Sequence, residues 1–539
     1  MRRALRLTRI GRRVPAVATA VRWAGIRRVA PATPSESDHA LEQQMMRGMM
    51  GESADGQVLS AGSDVVTIEG LSKACVGAVV RFEEGALGVV IHFDKHVVTA
   101  MLLTEHPELP RPRVRAGEGV TLDGILEATA LPASGSVVAV SQLVEAVMEG
   151  KKSVLRPPRP PLLSERSRVV QPLWTSIPCI DLLTPLGVGH RVVLTGPRRT
   201  GKSTTAAMIA RESRDKKVIY VTYSQTSRLG ELLHRLGGAY GEPPQHVTVI
   251  HADAAACTAG TLYLAPVVAA RVADTWRKAG DDVLLILDDL AITAEAASEV
   301  GRRIPLPIPV ANVAAAAFDS AGVAKVGTLT VVGVVDLPDD RIEEPTLLRD
   351  PVKLIAKELD AISDVRIDFN TRLANIGIYP AVDVATAPKF PGMYQTPLMR
   401  RLGAEVRDKL KLYGDTRERV DWHKVLKIHV ELTDQEDMVT LEMFRLMFTQ
   451  SQSRTLAETV VLFRAGLVYH FFGKKPQVSS VQAFQKELLA CFEAQHSDLL
   501  TEIEEVNEDP EAHIGDLFRK VDLALLRHRF DFFLTTPEL

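Results

Sequence analysis

The sequence predicts a multidomain protein with an N-terminal β-barrel, a central α/β domain built on a mostly parallel sheet, and a C-terminal α-helical bundle. Three changes of pattern along the 539 residues indicate this order. Short β-branched runs separated by glycines and acidic turns fill residues 57–93, apolar strands alternate with helical stretches in the centre, and strand patterns disappear after about Arg400. We place the barrel at 55–121, the central domain at 122–398 and the helical domain at 399–539.

The start of the chain differs from everything that follows it. Residues 1–30 contain nine arginines among apolar residues, and the first acidic residue is Glu36. A positive, amphipathic and acid-free start is typical of a mitochondrial transit peptide, although its serine content is low for one. A basic arm that binds nucleic acid is the alternative interpretation. We predict a transit peptide at 1–30 and a flexible tail at 31–54.

Composition argues against several classes of protein. The net charge of −3 gives no overall attraction to nucleic acid, so none is predicted as a partner. No apolar run reaches the roughly 18 residues that suggest a membrane span, so none is expected. The four cysteines form no Cys-x-x-Cys pair, which argues against a disulfide framework or a zinc site and fits a reducing compartment. They are Cys75, Cys179, Cys257 and Cys491.

The central domain is recognised by alternating strand and helix patterns. Apolar segments are predicted as strands at 191–195, 217–223, 246–251, 283–288 and 328–336. Helical patterns such as 204–213 and 261–278 separate them, which is typical of a parallel sheet covered on both faces. A Pro- and Arg-rich segment at 156–168 predicts an extended connector before this domain. Helical patterns at 455–472 and 482–503 characterise the C-terminal domain.

Residues 196–203 read GPRRTGKS and match the phosphate-binding pattern GxxxxGK(S/T) between a predicted strand and a predicted helix. Glycines let successive N–H groups point at phosphate oxygens, and the helix N-terminus adds positive potential. Lys202 is predicted to reach the β- and γ-phosphates and Ser203 to bind Mg²⁺, so the predicted ligand is ATP or ADP with Mg²⁺. The predicted contacts in this loop are Gly196, Pro197, Arg198, Arg199, Thr200, Gly201, Lys202, Ser203 and Thr204.

A strand that ends in carboxylates supports the phosphate loop. The apolar run at 284–287 is followed by Asp288 and Asp289, the Walker B arrangement, which places Asp288 near the metal. The alternative is an aspartate that caps a helix starting near Thr293. The two roles are compatible, with Asp288 on the metal and Asp289 structural.

The strand at 217–223 is followed by Gln225, where a hydrolysing site needs a carboxylate to polarise the attacking water. An amide can position a water molecule but cannot take its proton. Gln225 therefore predicts a nucleotide site with no catalytic residue of its own, and an ordinary polar strand end is the alternative.

Together these segments resemble the alpha subunit of F-type ATP synthases. The loop GPRRTGKS is similar to the family's GDRQTGKT, and Gln225 matches the family's non-catalytic glutamine. The segments at 172–196, 254–266, 287–290 and 484–500 also resemble family segments, and the likeness is colinear from about Asp55 to the end. The resemblance implies a RecA-like P-loop domain between a barrel and a helical bundle. It also implies a beta subunit and a central stalk as partners in an alternating hexamer, peripheral to the mitochondrial inner membrane on its matrix side.

The sequence departs from that family at an important position. Alpha subunits carry an arginine that reaches the neighbouring beta subunit, whereas the aligned stretch here places Phe390 at that position beside Lys389. An arginine finger is worth about 10³–10⁵ in rate, and lysine lacks its planar fork. Tyr379 stands where alpha subunits usually have arginine and resembles the tyrosine that beta subunits stack on adenine, so it is a further predicted nucleotide contact. The family's proline-rich loop is reduced to Arg302, Arg303, Pro305 and Pro307.

Two interpretations stay open. In the first, the chain is the largely non-catalytic, Mg-ATP-binding alpha subunit of a mitochondrial ATP synthase and supports proton-driven ATP synthesis. In the second, it is a diverged paralogue with a structural or regulatory role and no part in ATP synthesis. The colinear architecture favours the first, and the missing arginine favours the second. A Rho-like ring helicase shares the P-loop and small barrel, but the helical C-terminal domain and the lack of basic charge disfavour it.

Overall fold

The computed structural model confirms the predicted fold class, with a barrel, a central parallel sheet and a helical region following one another along the chain. The residues it describes are 55–535 except for 63, 94–96, 104–112, 123–133, 141–142, 144–157, 159, 162–165, 240, 303–311, 325, 339–349, 383–393, 426–431, 451–452, 470–477 and 509–512. The predicted transit peptide and tail therefore lie outside the described residues.

The barrel is closed and built from antiparallel pairs. Its strands are β1 (Gly56–Ala61), β2 (Val65–Glu69), β3 (Val79–Phe82), β4 (Leu87–Phe93), β5 (Val97–Leu102) and β6 (Gly119–Leu122). They are joined in the order β1-β2-β5-β4-β3-β6, with β6 returning to β1. Side chains along β2 alternate between buried and partly exposed because successive residues of a strand point to opposite faces. Val66, Ile68 and Phe82 are among the apolar residues that fill the interior.

The central domain is organised around a nine-stranded sheet. The strands of this region are β7 (Val137–Ala139), β8 (Arg166–Ser167), β9 (Pro172–Leu173), β10 (Leu186–Gly187), β11 (Arg191–Pro197), β12 (Lys217–Thr222), β13 (Val247–His251), β14 (Asp282–Asp288), β15 (Gly322–Ala324), β16 (Thr328–Leu337) and β17 (Val365–Asp368). Seven of them form a parallel path in the order β17-β11-β16-β14-β12-β13-β7. Strand β15 pairs antiparallel with β16 and with β8, and β9 and β10 form a separate ribbon.

Helices cover both faces of this sheet. They are α1 (Lys202–Glu212), α2 (Thr226–Arg235), α3 (Ala259–Lys278), α4 (Leu290–Arg302), α5 (Asn312–Asp319), α6 (Pro351–Ile362) and α7 (Thr371–Asn375), and a π-helical turn spans Cys179–Leu183. The apolar residues of the strands divide between two buried clusters, one on each side. A parallel sheet needs this double covering because its strands are apolar on both faces.

The barrel and the central sheet meet at the start of α3. Thr258 caps this helix, and its hydroxyl donates a hydrogen bond of 2.7 Å to the carbonyl of Leu102 in the barrel. The amide of Ala259 donates to the carboxylate of Asp64 at 3.3 Å. A Cβ on Gly260 would lie 2.8 Å from the carbonyl oxygen of Leu102, so the close approach of the two parts requires a glycine there.

The C-terminal region consists of helices packed around one buried helix. The helices are α8 (Pro397–Val425), α9 (Leu432–Leu446), α10 (Leu456–Val468), α11 (Val478–Gln495), α12 (Ser497–Glu508) and α13 (Ile514–Thr535). α10 begins with a capping box between Thr455 and Glu458 and is buried on nearly all sides. The ring of Phe463 in α10 packs against the rings of Phe444 and Phe448.

No helix in the described part of the chain combines the length and apolar character needed to span a bilayer.

The five strands predicted in the central domain are all present, with ends shifted by at most two residues. The short strands β7 and β17 were not predicted, because three or four residues carry too little periodicity. The helical pattern at 482–503 is two helices rather than one, separated at His496. The helix expected near Thr293 begins earlier, at Leu290.

Candidate nucleotide-binding site

The site lies where parallel strands end at one edge of the sheet. Strands β11, β16, β14 and β12 are neighbours, and Gly196 of β11 is in register with Asp336 of β16. On the other side, Asp288 of β14 is in register with Thr222 of β12. Ligands of open parallel sheets bind outside the carboxyl ends of the strands, so this edge is where a ligand is expected.

The phosphate loop joins β11 to α1 in an unusual backbone conformation. The φ angles are 147° at Gly196, 64° at Arg199 and 94° at Gly201. A Cβ on Gly196 would lie 2.5 Å from the carbonyl oxygen of Phe369, so both the angle and the space require glycine. The loop thus turns sharply at the start of a helix, as a backbone cradle for phosphate needs.

Lys202 is buried at the first position of α1, with 3% of its surface exposed. Its ammonium group donates to the carbonyls of Gly196 at 2.8 Å and Pro197 at 2.6 Å, both in the phosphate loop. It also forms an ion pair of 2.8 Å with the carboxylate of Asp336. The cation predicted to bind phosphate is therefore at the centre of the loop and has a carboxylate partner.

Ser203 and Asp288, the two predicted metal ligands, lie together. The Ser203 hydroxyl donates to one oxygen of Asp288 at 2.9 Å, and the hydroxyl of Tyr220 donates to the other at 2.6 Å. Burial raises the pKa of Asp288, and burial likewise raises the pKa of Tyr220 well above its ordinary value. A hydroxyl and a carboxylate at hydrogen-bond distance are hard oxygen donors of the type that Mg²⁺ prefers, so these two residues fit the metal.

Asp289 faces the backbone, in keeping with the structural role considered for it. Its carboxylate accepts hydrogen bonds from the amides of Ala291 at 2.8 Å and Asp336 at 3.2 Å. The first of these contacts caps the start of α4. Burial raises the pKa of Asp289 to about 8, and the negative charge of Asp336 adds to this effect.

The remaining loop residues differ in exposure. Arg198, Arg199 and Thr204 are exposed, whereas Thr200 is buried and donates to the carbonyl of Pro197 at 2.8 Å. Arg198 lies 3.6 Å from the carboxylate of Asp336. The exposed arginines add positive charge at the mouth of the site.

Gln225 and Tyr379 lie on two different segments. Gln225 is exposed and immediately precedes α2, at the end of the strand next to β14. Tyr379 is 42% exposed, and its ring would be 3.3 Å from a Cβ on Gly201, so the ring lies against the phosphate loop. Lys389 and Phe390, together with Arg303, Pro305 and Pro307, lie outside the described residues, and Arg302 is the last residue of α4.

Two residues of the site were missed from the sequence, Asp336 and Tyr220. Asp336 ends the apolar run of β16, which is the same signal that singled out Asp288. Its position beside Lys202 depends on β16 lying next to β11, which sequence order does not show. Tyr220 was read only as a strand residue, since nothing in the sequence pairs it with Asp288.

A phosphate loop on a parallel sheet, with a buried lysine and a serine–aspartate pair beside it, defines a P-loop nucleotide-binding protein. Residues 176–387 match the family model described as the ATP synthase alpha/beta family, nucleotide-binding domain. The central domain is thus similar to that family and the chain is alpha-subunit-like, which confirms the resemblance seen in the sequence.

Relatives named ATP synthase subunit alpha resemble the chain over most of its length. The protein of Aquifex aeolicus (strain VF5) is 27% identical over 498 residues, which are 87% of this chain and 92% of the relative. The protein of Streptomyces avermitilis is 26% identical over 482 residues, covering 84% and 86%. The protein of Acinetobacter baumannii (strain AYE) is 24% identical over 528 residues, covering 89% and 96%.

Proposed function

We propose that this protein is the alpha-type, largely non-catalytic Mg-ATP- or Mg-ADP-binding subunit of the catalytic head of the mitochondrial F-type ATP synthase, where it supports proton-driven ATP synthesis. The observation that carries the proposal is a complete phosphate loop in a chain that resembles alpha subunits nearly from end to end. The barrel, the sheet and the helical region support it by their order.

The chain's own residues account for binding. Lys202 and the loop amides would hold the phosphates, and Ser203 and Asp288 would hold Mg²⁺, which when bound neutralises phosphate charge. The ring of Tyr379, half exposed beside Gly201, offers an apolar face to an adenine base. Gln225 would orient a water molecule without accepting its proton, so slow turnover at this site is proposed.

The proposed partners are a beta-type subunit and a central stalk in an alternating hexamer. The decisive experiment is purification of the tagged full-length chain from its own cells. We expect a beta-type subunit to co-purify in a ring-sized complex. We also expect the isolated chain to bind Mg-ATP but to hydrolyse it below about 1 s⁻¹, the lower end of ordinary enzyme rates. A ring-sized complex without a beta-type subunit, or faster hydrolysis by the monomer, would contradict the proposal.

The alternative function is that of a paralogue with a structural or regulatory role. It is favoured by Phe390 and Lys389, which stand where alpha subunits carry an arginine. Recovery of the chain in an assembly that lacks a beta-type subunit, while a second alpha subunit with that arginine occupies the ATP synthase of the same cells, would favour this alternative.

The proposed location is the matrix side of the mitochondrial inner membrane, with peripheral association. The nine arginines and the absence of acid in residues 1–30 support it. Residues 1–50 fused to a fluorescent protein are expected to carry it into mitochondria. The same fusion with the nine arginines changed to glutamine should stay in the cytosol, because it loses the charge on which import depends. Cytosolic or nuclear retention of the unchanged fusion would contradict the proposed location.

A further inference from the structure

The lysine of the phosphate loop already has a full set of partners. An ammonium group has three hydrogens, and that of Lys202 faces the carbonyls of Gly196 and Pro197 and the carboxylate of Asp336, all within 2.8 Å. Its side chain is 2% exposed, so water does not compete for these contacts. A phosphate that binds Lys202 must therefore take the place of at least one of them.

Asp336 is the partner that most resembles a phosphate. It carries negative charge on oxygen, and it lies at the end of β16, in register with Gly196 of the phosphate loop. Its second oxygen is 3.6 Å from Arg198, so the carboxylate faces two cations of the loop. Its own amide donates to Asp289, which fixes the strand end that carries it.

We infer that Asp336 is a positioning residue that occupies Lys202 in place of phosphate and thereby weakens the binding of nucleotides. This inference rests on the proposed function, because it concerns the affinity of the same site. Phosphate binding exchanges one charge-assisted contact of Lys202 for another, and the displaced carboxylate stays close to the incoming negative charge. Lys202 therefore contributes less to the free energy of nucleotide binding than a lysine in a phosphate loop without such a carboxylate partner.

The test is the substitution Asp336→Asn, which keeps the shape and the acceptor oxygen but removes the charge. We expect it to bind Mg-ADP and Mg-ATP about tenfold more tightly than wild type in isothermal titration calorimetry, because the competing ion pair is lost. Adenosine, which has no phosphate, should bind both proteins equally. Equal binding or weaker binding of Mg-ADP by D336N would overturn the inference.

The matched control is Asp282→Asn. Asp282 begins β14, at the opposite edge of the sheet from the site, and its carboxylate accepts a hydrogen bond from Thr328 at 2.6 Å. This variant has the same change in net charge and should bind Mg-ADP within about twofold of wild type, because surface charges this remote are screened. Tightening by D282N equal to that by D336N would show a general charge effect and would overturn the inference.

A double-mutant cycle separates action through Lys202 from a structural effect. In a Lys202→Met background, Asp336→Asn should tighten Mg-ADP binding by much less than in wild type. An unchanged effect would refute action through Lys202. Asp336→Ala serves as a second variant if D336N loses its native circular dichroism. Absence of nucleotide binding by wild type would instead refute the proposed function.

Discussion

Replacing Lys202 with alanine is expected to weaken binding of Mg-ADP and Mg-ATP about 10- to 150-fold, the effect of losing a charge-assisted hydrogen bond of about 1.5–3 kcal/mol. The structure supports the choice of this residue, because Lys202 is buried and its ammonium group lies inside the phosphate loop, 2.8 Å from the carbonyl oxygen of Gly196 and 2.6 Å from that of Pro197. Calorimetric titration of both proteins measures the difference.

Lys217→Ala is the control for Lys202→Ala. Lys217 begins β12 at the opposite edge of the sheet and pairs with Asp281 at 2.7 Å. Its loss removes the same charge and should leave nucleotide affinity within about twofold of wild type. Equal nucleotide affinity in wild type and Lys202→Ala would show that the phosphate loop is not the binding site.

The largest effect on stability is expected for Arg464→Ala. Arg464 is 10% exposed and connects three helices of the C-terminal region. It pairs with Glu405 of α8 and Asp522 of α13, and it lies 4.6 Å from the ring centre of Phe518. Removing one member of a buried ion pair costs about 3–5 kcal/mol, and partial exposure of the two carboxylates reduces this to about 3 kcal/mol.

We expect that loss to lower the midpoint of the unfolding transition of the helical region, about 140 residues, by about 6–12 °C, as followed by circular dichroism of the full chain. Arg417→Ala is the control, because Arg417 pairs with Asp421 one helical turn away on an exposed surface. Such pairs contribute about 0–1 kcal/mol, so the control should shift the midpoint by no more than about 2–4 °C. Equal shifts in the two variants would show that the buried network does not stabilise the helical region.

Motifs made of neighbouring residues could be predicted from the sequence. The phosphate loop, Asp288 and Gln225 each lie within or directly after an apolar strand, and one strand with its following turn is enough to recognise them. The order of the three domains was also predictable, because the spacing of apolar residues along the chain differs between the barrel, the α/β domain and the helical region.

Contacts between strands distant in sequence could not be predicted. Asp336 meets Lys202 and Tyr220 meets Asp288 only because of the strand order β11-β16-β14-β12, in which chain neighbours are separated. Hydrophobic patterns predict that a strand exists but not which strand it pairs with. The sequence therefore predicts the site residues themselves, whereas their contact partners are known only from the structure.

The order of strands in the sheet also determines when, during synthesis of the chain, the phosphate loop gains its neighbouring strands. β11, which leads into the phosphate loop, pairs on one side with β16 and on the other with β17, and both are made later than it is. β17 ends at Asp368, so about 170 further residues must be added after Pro197. At roughly 5–20 residues per second this takes about 10–35 s. The nascent loop has neither neighbouring strand until β16 is made and lacks one of the two until β17 is made, so during that interval a nucleotide in the surrounding solution has no completed cradle to enter.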